Sequence, residues 1–350
     1  YTADRLYTSL EGYENGLNGL YAEVRKEFEG MNYTTNFGTV DLRNVLFTVG
    51  TDNMATGSNK GNVHRMLNSW GVANHPSYKD FDKYFLWFYE TINAANAILD
   101  RAPYSDISWD DGSGSSQYYR VMAEAKLFRA WAYRHLSYLW GPVPIVTTES
   151  TDAIRTDFVR EPVEKVRRFI IEDLEFALTR LPDKRATEAE TRGFASKGAV
   201  NALFAKVYAT KGAPGNVEWD KVKTYSEAVM NSPVYRLVDT YDHLFDDEHR
   251  NNSETILAVQ YIANSTENNY VPVLLLPPSM TEQNWRKYLT PSQSLLKAFD
   301  DEGDQVRKNS TVIFEDINNI WFDQYYAQLK NGQWETRTLP FPYKCRAKNR

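Results

Sequence analysis

The chain has 350 residues, 42% of them hydrophobic and 25% charged, with 46 acidic against 40 basic side chains and a net charge of −6. That length allows about two domains with ample core, and the acidic balance excludes nucleic acid, whose phosphate backbone needs clustered Lys and Arg. No apolar run approaches the roughly 18 residues of a membrane span, the opening YTADRLYTSLEGYE is too polar to read as a secretory signal, and a single cysteine, Cys345, excludes an internal disulfide or a Cys-rich metal site. Aromatic residues are abundant at 14%, with 23 Tyr and 9 Trp. Their flat apolar faces and polar edges suit carbohydrate or peptide surfaces as well as packing between helices.

Residues 3 to 28 carry Leu6, Leu10, Tyr13, Leu17, Leu20, Tyr21 and Val24 at helical steps and predict a first helix. Its glycines, Gly12, Gly16 and Gly19, each cost a helix about 1 kcal/mol against Ala, so some of them are expected to permit close approach of another segment. Asn44 to Thr51 is a short apolar piece leading into Asp52-Asn53-Met54. A loop of about 25 residues follows, rich in Gly, Asn and Ser and carrying Trp70 and Tyr78; loops of that length are functional candidates. A long helix is expected from about Lys79 to Asp100, packing through Phe85, Phe88, Ile92, Ala95 and Leu99.

The stretch 121 to 146, VMAEAKLFRAWAYRHLSYLWGPVPIV, is the most crowded. Ala125, Phe128, Ala132, Leu136 and Leu139 share one helical face, and Leu127, Ala130, Trp131 and Tyr138 fill much of the rest, so the helix is expected to be buried on more than one side. Gly141 and Pro142 stop it, and Pro-Val-Pro-Ile-Val leaves as an extended strand. Glu124, Arg129 and His135 are expected to be paired structural groups. Further helices are expected over Glu161 to Leu181, with Pro162 near its first turn, over the small-residue stretch capped by Ser196, and over Trp219 to Met230, ended by Asn231-Ser232-Pro233. No fixed 34-residue period links them, so the helical hairpins form an irregular, tetratricopeptide-like array. Beyond Val238 the texture changes: Glu254 to Tyr261 and Val271 to Leu276 read as strands between polar, Asn-rich and Pro-punctuated segments.

The order Glu-Ala, Arg-Ala-Trp, Leu, Trp-Gly-Pro-Val-Pro within residues 124 to 144 resembles the signature helix of the SusD/RagB family of nutrient-binding outer-membrane lipoproteins. Four more segments are similar to family counterparts in the same order: FLWFYETINAANAIL, GFASKGAVNALFAKVY, VYRLVDTYDHLFDDEHRNNSETILAVQY and LTPSQSLLKAFDDEGDQVRKNSTVIF. The family's signal peptide, lipidated cysteine and closing helix pair have no counterpart in these residues, which are therefore expected to be a segment of a larger mature protein, and Cys345 is placed at the wrong end for the lipid.

The resemblance implies a non-enzymatic protein of the outer-membrane cell surface, lipid-anchored, that captures a glycan and delivers it to a SusC-like TonB-dependent transporter. A pyranose packs its C–H face on an aromatic ring, and Asp, Asn or Arg fix its hydroxyls. Asp52, Asn53, Arg65, Asn68 and Trp70 supply both in the loop before the long helix, and Trp285 with Tyr288, and Trp321, do so in the later lobe. Trp87, Trp131 and Trp140 lie in helices and are expected in the core; Trp109 is open to either role.

Catalytic and metal motifs are sparse. His243, Asp246, Asp247, Glu248 and His249 lack a recognised ligand spacing and read as a solvated turn, and Asp300 to Asp304 is half a calcium loop without its distal Glu. No metal or cofactor is expected. The reading is a mainly α protein: a helical-hairpin scaffold over 1–238 with a ligand-facing insertion near 52–78, and a loop-rich lobe with short strands over 239–350. Its rivals are a peptide binder on the same scaffold and a helical glycoside hydrolase, whose paired carboxylates only three dimensions reveal.

Overall fold

The computed structural model describes residues 3–28, 50–56, 79–112, 116–150, 155–210, 217–246, 248–261, 289–313 and 341–342. It is mainly α. The chain forms two compact units: Tyr1–Arg25, Tyr84–Leu237 and Ser253–Gln260 make the first, and Lys26–Lys83, Val238–Asn252 and Tyr261–Arg350 the second. The stretch that contains the 52–78 insertion thus groups with the later part of the chain. Among the described residues no helix is long and apolar enough to cross a membrane.

The first unit is an array of helices: α1 (Ala3–Leu6), α2 (Leu10–Arg25), α3 (Lys79–Arg101) from Tyr84 onward, α4 (Tyr118–Trp140), α5 (Val163–Arg180), α6 (Glu188–Gly193), α7 (Lys197–Ala209) and α8 (Trp219–Met230). Tyr13, Leu17, Leu20 and Val24 of α2 share one apolar core with Ala95, Ile98 and Leu99 of α3 and Val121, Ala125 and Phe128 of α4. Each large side chain taken fully from water there contributes about 1.5–3 kcal/mol. The remaining hairpins follow in sequence, α4 against α5, α5 against α7, and α7 against α8.

The single helix expected over 3 to 28 is broken at Tyr7–Ser9. The Ser9 hydroxyl accepts the Gly12 N–H at 3.1 Å and restarts the helix. Hydrophobic spacing runs straight across that break, which is why it is invisible in the pattern. Two of the glycines explain how α1 folds back: a Cβ at Gly12 would lie 1.8 Å from the Leu6 carbonyl oxygen, and one at Gly16 would lie 2.6 Å from the Tyr7 ring. Gly19 has open space.

α4 ends where expected, with Gly141 at φ 70° and its N–H on the Ser137 carbonyl at 3.1 Å. The segment beyond it is extended, but it joins no sheet. One bridge, Val143 to Glu161, is its only β pairing among the described residues. Side chains of α3 hold it instead. Tyr89 donates to the Pro144 carbonyl at 2.8 Å, Asn96 donates to those of Val146 and Thr148 at 3.0 and 3.2 Å, and the Asn93 oxygen and an Asp100 oxygen accept the Ser150 and Glu149 N–H groups at 2.7 and 2.5 Å. Residues 89, 93, 96 and 100 recur at steps of four, three and four, so one helical face replaces a partner strand.

Two other expectations are corrected. Glu254 to Tyr261 makes no strand, although the Ala258 N–H donates to the Arg192 carbonyl at 2.8 Å, since an apolar run carries no information about whether a partner strand exists. Ser196 does occupy the position before α7, but its hydroxyl meets the Tyr235 hydroxyl at 3.1 Å and makes no capping bond. Val271 to Leu276 lies outside the described residues. In the second unit the strands are short antiparallel pairs: β1 (Met54–Thr56) with β2 (Leu289–Pro291), and β3 (Val312–Ile313) with β4 (Phe341–Pro342). Between β2 and β3 lie α9 (Gln293–Asp301) and α10 (Gln305–Thr311).

Candidate functional site

Of the residues expected to meet a ligand, Asp52 and Asn53 are described, and both are exposed. They sit just before β1, whose register with β2 pairs Met54 with Pro291, Ala55 with Thr290 and Thr56 with Leu289. Ser292 fixes the junction. Its N–H donates to the Asn53 carbonyl at 3.0 Å and its hydroxyl donates to the Asp52 carbonyl. The same hydroxyl accepts the Leu295 N–H at 3.0 Å and so caps α9. A single serine therefore pins the backbone of Asp52 and Asn53 to a helix start and leaves their side chains to solvent. Trp70, Arg65, Asn68, Trp285, Tyr288 and Trp321 lie outside the described residues. Chain connectivity still relates two of these stretches: Tyr288 directly precedes Leu289, the partner of Thr56, and the 57–78 loop directly follows Thr56.

The polar groups of α4 are engaged in the scaffold. Arg129 makes a two-pronged pair with Asp173 and donates to the Asn96 side-chain oxygen at 2.8 Å; Lys126 adds a bond to Asp173 at 2.6 Å. Glu124, buried, accepts from the Tyr21 hydroxyl at 2.6 Å and from Arg120 and Arg185, each at 2.7 Å. Burial, and then the charge of Glu124, push the Tyr21 phenol well above its usual range, so it stays a donor. His135 places Nδ1 2.9 Å from the Trp131 carbonyl and stacks on Phe88. These residues lock helices together and leave no charge turned to a ligand.

Among the tryptophans, Trp87 is fully buried, Trp131 packs edge-on against it and Trp140 packs edge-on to Phe85. Trp109 takes the packing role, between Tyr13 and Tyr118 at 4.7 and 5.1 Å. Trp219, at 68% exposure, is the exposed tryptophan among the described residues. The polar flanks that singled out Trp285 surround it too, as Glu218 and Asp220, so the same criterion applied to helix termini would have found it.

The half calcium loop is an ion-paired turn. Asp300 pairs with Lys308, Asp301 with Lys297 at 2.6 Å, and Asp304 with Arg307. The Lys308 ammonium holds Asp300 below the usual carboxylate range, and the Arg307 N–H does the same for Asp304. The turn at His243 to His249 differs from its expectation. Asp246 is 9% exposed rather than solvated, and it faces both His243 and His249. Burial pushes its carboxyl up, but hydrogen bonds from His249 outweigh this and hold it below its ordinary value.

The family described as starch-binding and associating with outer membrane (SusD-like) matches residues 24–209, just over half of the chain. A SusD-like protein of Bacteroides ovatus is 26% identical over 219 residues, which is 58% of this chain and 38% of that relative, so the chain spans well under half of the relative's length. The fold recurs in a SusD superfamily protein from Parabacteroides distasonis, with a TM-score of 0.73 at 21% identity over 95% of this chain and 68% of that one. It recurs again in a laminarin-binding SusD-like protein, with a TM-score of 0.71 at 24% identity over 95% of this chain and 71% of that one. An irregular array of helical hairpins, the signature helix locked inside it and a family match across most of that array lead to one assignment: the chain belongs to the SusD/RagB family of carbohydrate-binding proteins associated with the outer membrane.

Proposed function

We propose that the protein captures an oligosaccharide or polysaccharide at the cell surface, as a lipid-anchored protein of the outer membrane, and passes it unaltered to a SusC-like TonB-dependent transporter. The observation that carries this reading is the β1–β2 junction. Its ladder and the Ser292 clamp tie the exposed Asp52–Asn53 edge, and the root of the 57–78 loop with Arg65, Asn68 and Trp70, to the residue that follows Trp285 and Tyr288. One stretch with candidate ligand residues thus follows β1 in sequence and the other precedes β2, its partner strand. Trp321 is the third tryptophan of the proposed site. Family membership and the laminarin-binding neighbour support a glycan as the ligand.

Isothermal titration with laminarin oligosaccharides and a panel of other α- and β-glucans tests the proposal. Binding in the micromolar to millimolar range, about −8 to −4 kcal/mol, is expected, with loss of heat in Trp70→Ala and Trp285→Ala. No heat across the panel, or unchanged binding in both variants, would overturn the ligand or the site respectively. A peptide library that binds where glycans do not, or reducing ends released from a bound glycan, would move the assignment to a peptide receptor or a hydrolase.

A further inference from the structure

The Val238–Asn252 stretch of the second unit carries a feature unrelated to the glycan reading. Tyr241–Leu244 is a 3₁₀ turn, closed by the Phe245 N–H on the Asp242 carbonyl at 3.0 Å. In a 3₁₀ helix side chains three apart eclipse, where an α-helix would fan them round its circumference. Residues 248–251 are in turns, and Asn251, with a φ of 54°, is left-handed. His243, Asp246 and His249 follow at steps of three and converge: one ligand atom from each lies within 4.8 Å of the others.

The cluster is organised. The two imidazoles stack at 3.7 Å between centroids and 14° between planes. The Asp246 carboxylate sits 2.7 and 2.9 Å from His249 Nδ1 and accepts the His249 N–H at 2.8 Å. The Asn252 side chain donates to the His243 carbonyl at 3.1 Å and holds the two ends of the turn together. Asp246 is nearly buried, with 4% of its side chain exposed, while His249 at 39% keeps freedom to turn.

We propose that His243, Asp246 and His249 form a binding site for a divalent transition-metal ion of zinc-like chemistry. Two imidazole nitrogens and one carboxylate oxygen are the donor set that such ions prefer, whereas calcium takes six to eight oxygens and magnesium a mostly hydrated octahedron. Zinc ligands at about 2.0–2.2 Å from the ion lie about 3.4 Å from one another in a tetrahedron, so the wider separations, up to 4.8 Å, close inward, and the 2.7 Å Asp246–His249 contact opens as the ion replaces the hydrogen bond. The ion must also lie near both ring planes, so binding fans the parallel stack open, a rotation the exposed His249 permits. Three protein ligands leave a fourth position for water. The ion cross-links the 3₁₀ turn to the 249–252 turn in a segment that packs against α10.

The test uses the chain without a polyhistidine tag, stripped by chelator and titrated with Zn²⁺, with metal content measured by atomic emission after gel filtration. One tight Zn²⁺ per chain is expected, together with a rise in melting temperature. Asp246→Asn, which removes a ligand's charge, should weaken binding by at least the roughly 10- to 100-fold that loss of a ligand-orienting group costs, and the double variant His243→Gln/His249→Gln should abolish both the stoichiometric ion and the thermal shift. Circular dichroism and the metal-free melting temperature establish that the variants fold; should the double variant fail to fold, Asp246→Asn and each single Gln variant decide. Absence of stoichiometric Zn²⁺, equal binding in the variants, or displacement of Zn²⁺ by equimolar Ca²⁺ would overturn the site.

Discussion

Arg129 of α4 and Asp173 of α5 meet as a buried two-pronged ion pair, Nε to Oδ2 at 2.7 Å and Nη2 to Oδ1 at 2.9 Å. Their side chains are 6% and 2% exposed, so removing one partner leaves the other's charge in the core. Asp173→Ala should therefore destabilise the first unit by about 3–5 kcal/mol, and Arg129→Met/Asp173→Leu, which leaves no buried charge from the pair, should cost less than the single change. Urea unfolding of the three proteins measures this. A double variant worse than Asp173→Ala would mean that the pair contributes more than its own burial costs.

The strap beyond α4 depends on side chains, and Tyr133 makes two of its bonds: its hydroxyl donates to the Val146 carbonyl at 3.1 Å and accepts the Val146 N–H at 2.6 Å. Tyr133→Phe keeps the packing but strands the Val146 N–H, a cost of about 1–3 kcal/mol, while the Val146 carbonyl keeps its bond from Asn96. Hydrogen exchange at the Val146 amide should accelerate well beyond exchange in the α4 core. Uniform acceleration throughout the unit would show global loosening instead.

Gly198 and Gly19 should respond to alanine with opposite signs. In a helix interior the change ordinarily stabilises by about 1 kcal/mol, and Gly19→Ala, with open space around its Cβ, should do so. A Cβ at Gly198 would lie 2.1 Å from the Tyr235 hydroxyl and 2.5 Å from its ring carbons. That ring is held by Ser196 and by the Arg192 guanidinium 5.0 Å from its centre, so Gly198→Ala should lower the melting temperature. Tyr235→Ala should be less sensitive to the same change, which a double-mutant cycle reads directly.

Alkaline stability follows from buried phenols. Burial pushes Tyr133 up to about 12 from 10.0, against the Val146 N–H, which favours the ionised form, and burial followed by the charge of Glu149 raises Tyr7 to about 12. The folded protein holds these protons more tightly than the unfolded chain, so the stabilisation is complete below about pH 10 and is lost as pH rises toward about 12. For the fully buried Tyr133 the difference is worth about 3 kcal/mol in order of magnitude. Tyrosinate absorbance should rise in two stages, exposed phenols first and the buried ones together with loss of helical circular dichroism.

Periodicity located the helices whose ends are marked by chemistry. Gly141-Pro142 stops α4, Pro162 starts α5 and Asn231-Ser232-Pro233 ends α8, each within a residue or two of its expected place. What periodicity missed is long-range. The Ser196 hydroxyl turned to Tyr235 and the side-chain support of 142–150 depend on neighbours distant in sequence, while the break at Tyr7–Ser9 is local but leaves the hydrophobic spacing intact. The convergence of His243, Asp246 and His249 was hidden because only His243 lies in the 3₁₀ turn Tyr241–Leu244, and the other two are brought to it by the turn beyond, which no helical or strand period describes. At the candidate glycan site, Asp52 and Asn53 read as exposed loop residues and are so, but their partner Ser292 lies 240 residues away in sequence.

That distance makes Ser292→Ala the informative change at the β1–β2 junction. Losing the cap on α9 should cost about 1 kcal/mol, and the Asp52 carbonyl loses the hydroxyl donor that pins the edge, while the Ser292 N–H bond to Asn53 is kept. Neither Asp52 nor Asn53 is altered. If the junction orients a ligand-facing edge, glycan affinity should fall several-fold with the melting temperature only slightly reduced, and Ser292→Thr, which restores the hydroxyl, should recover both. Equal affinity in Ser292→Ala would confine the junction to a structural role and leave the aromatic residues as the tests of the site.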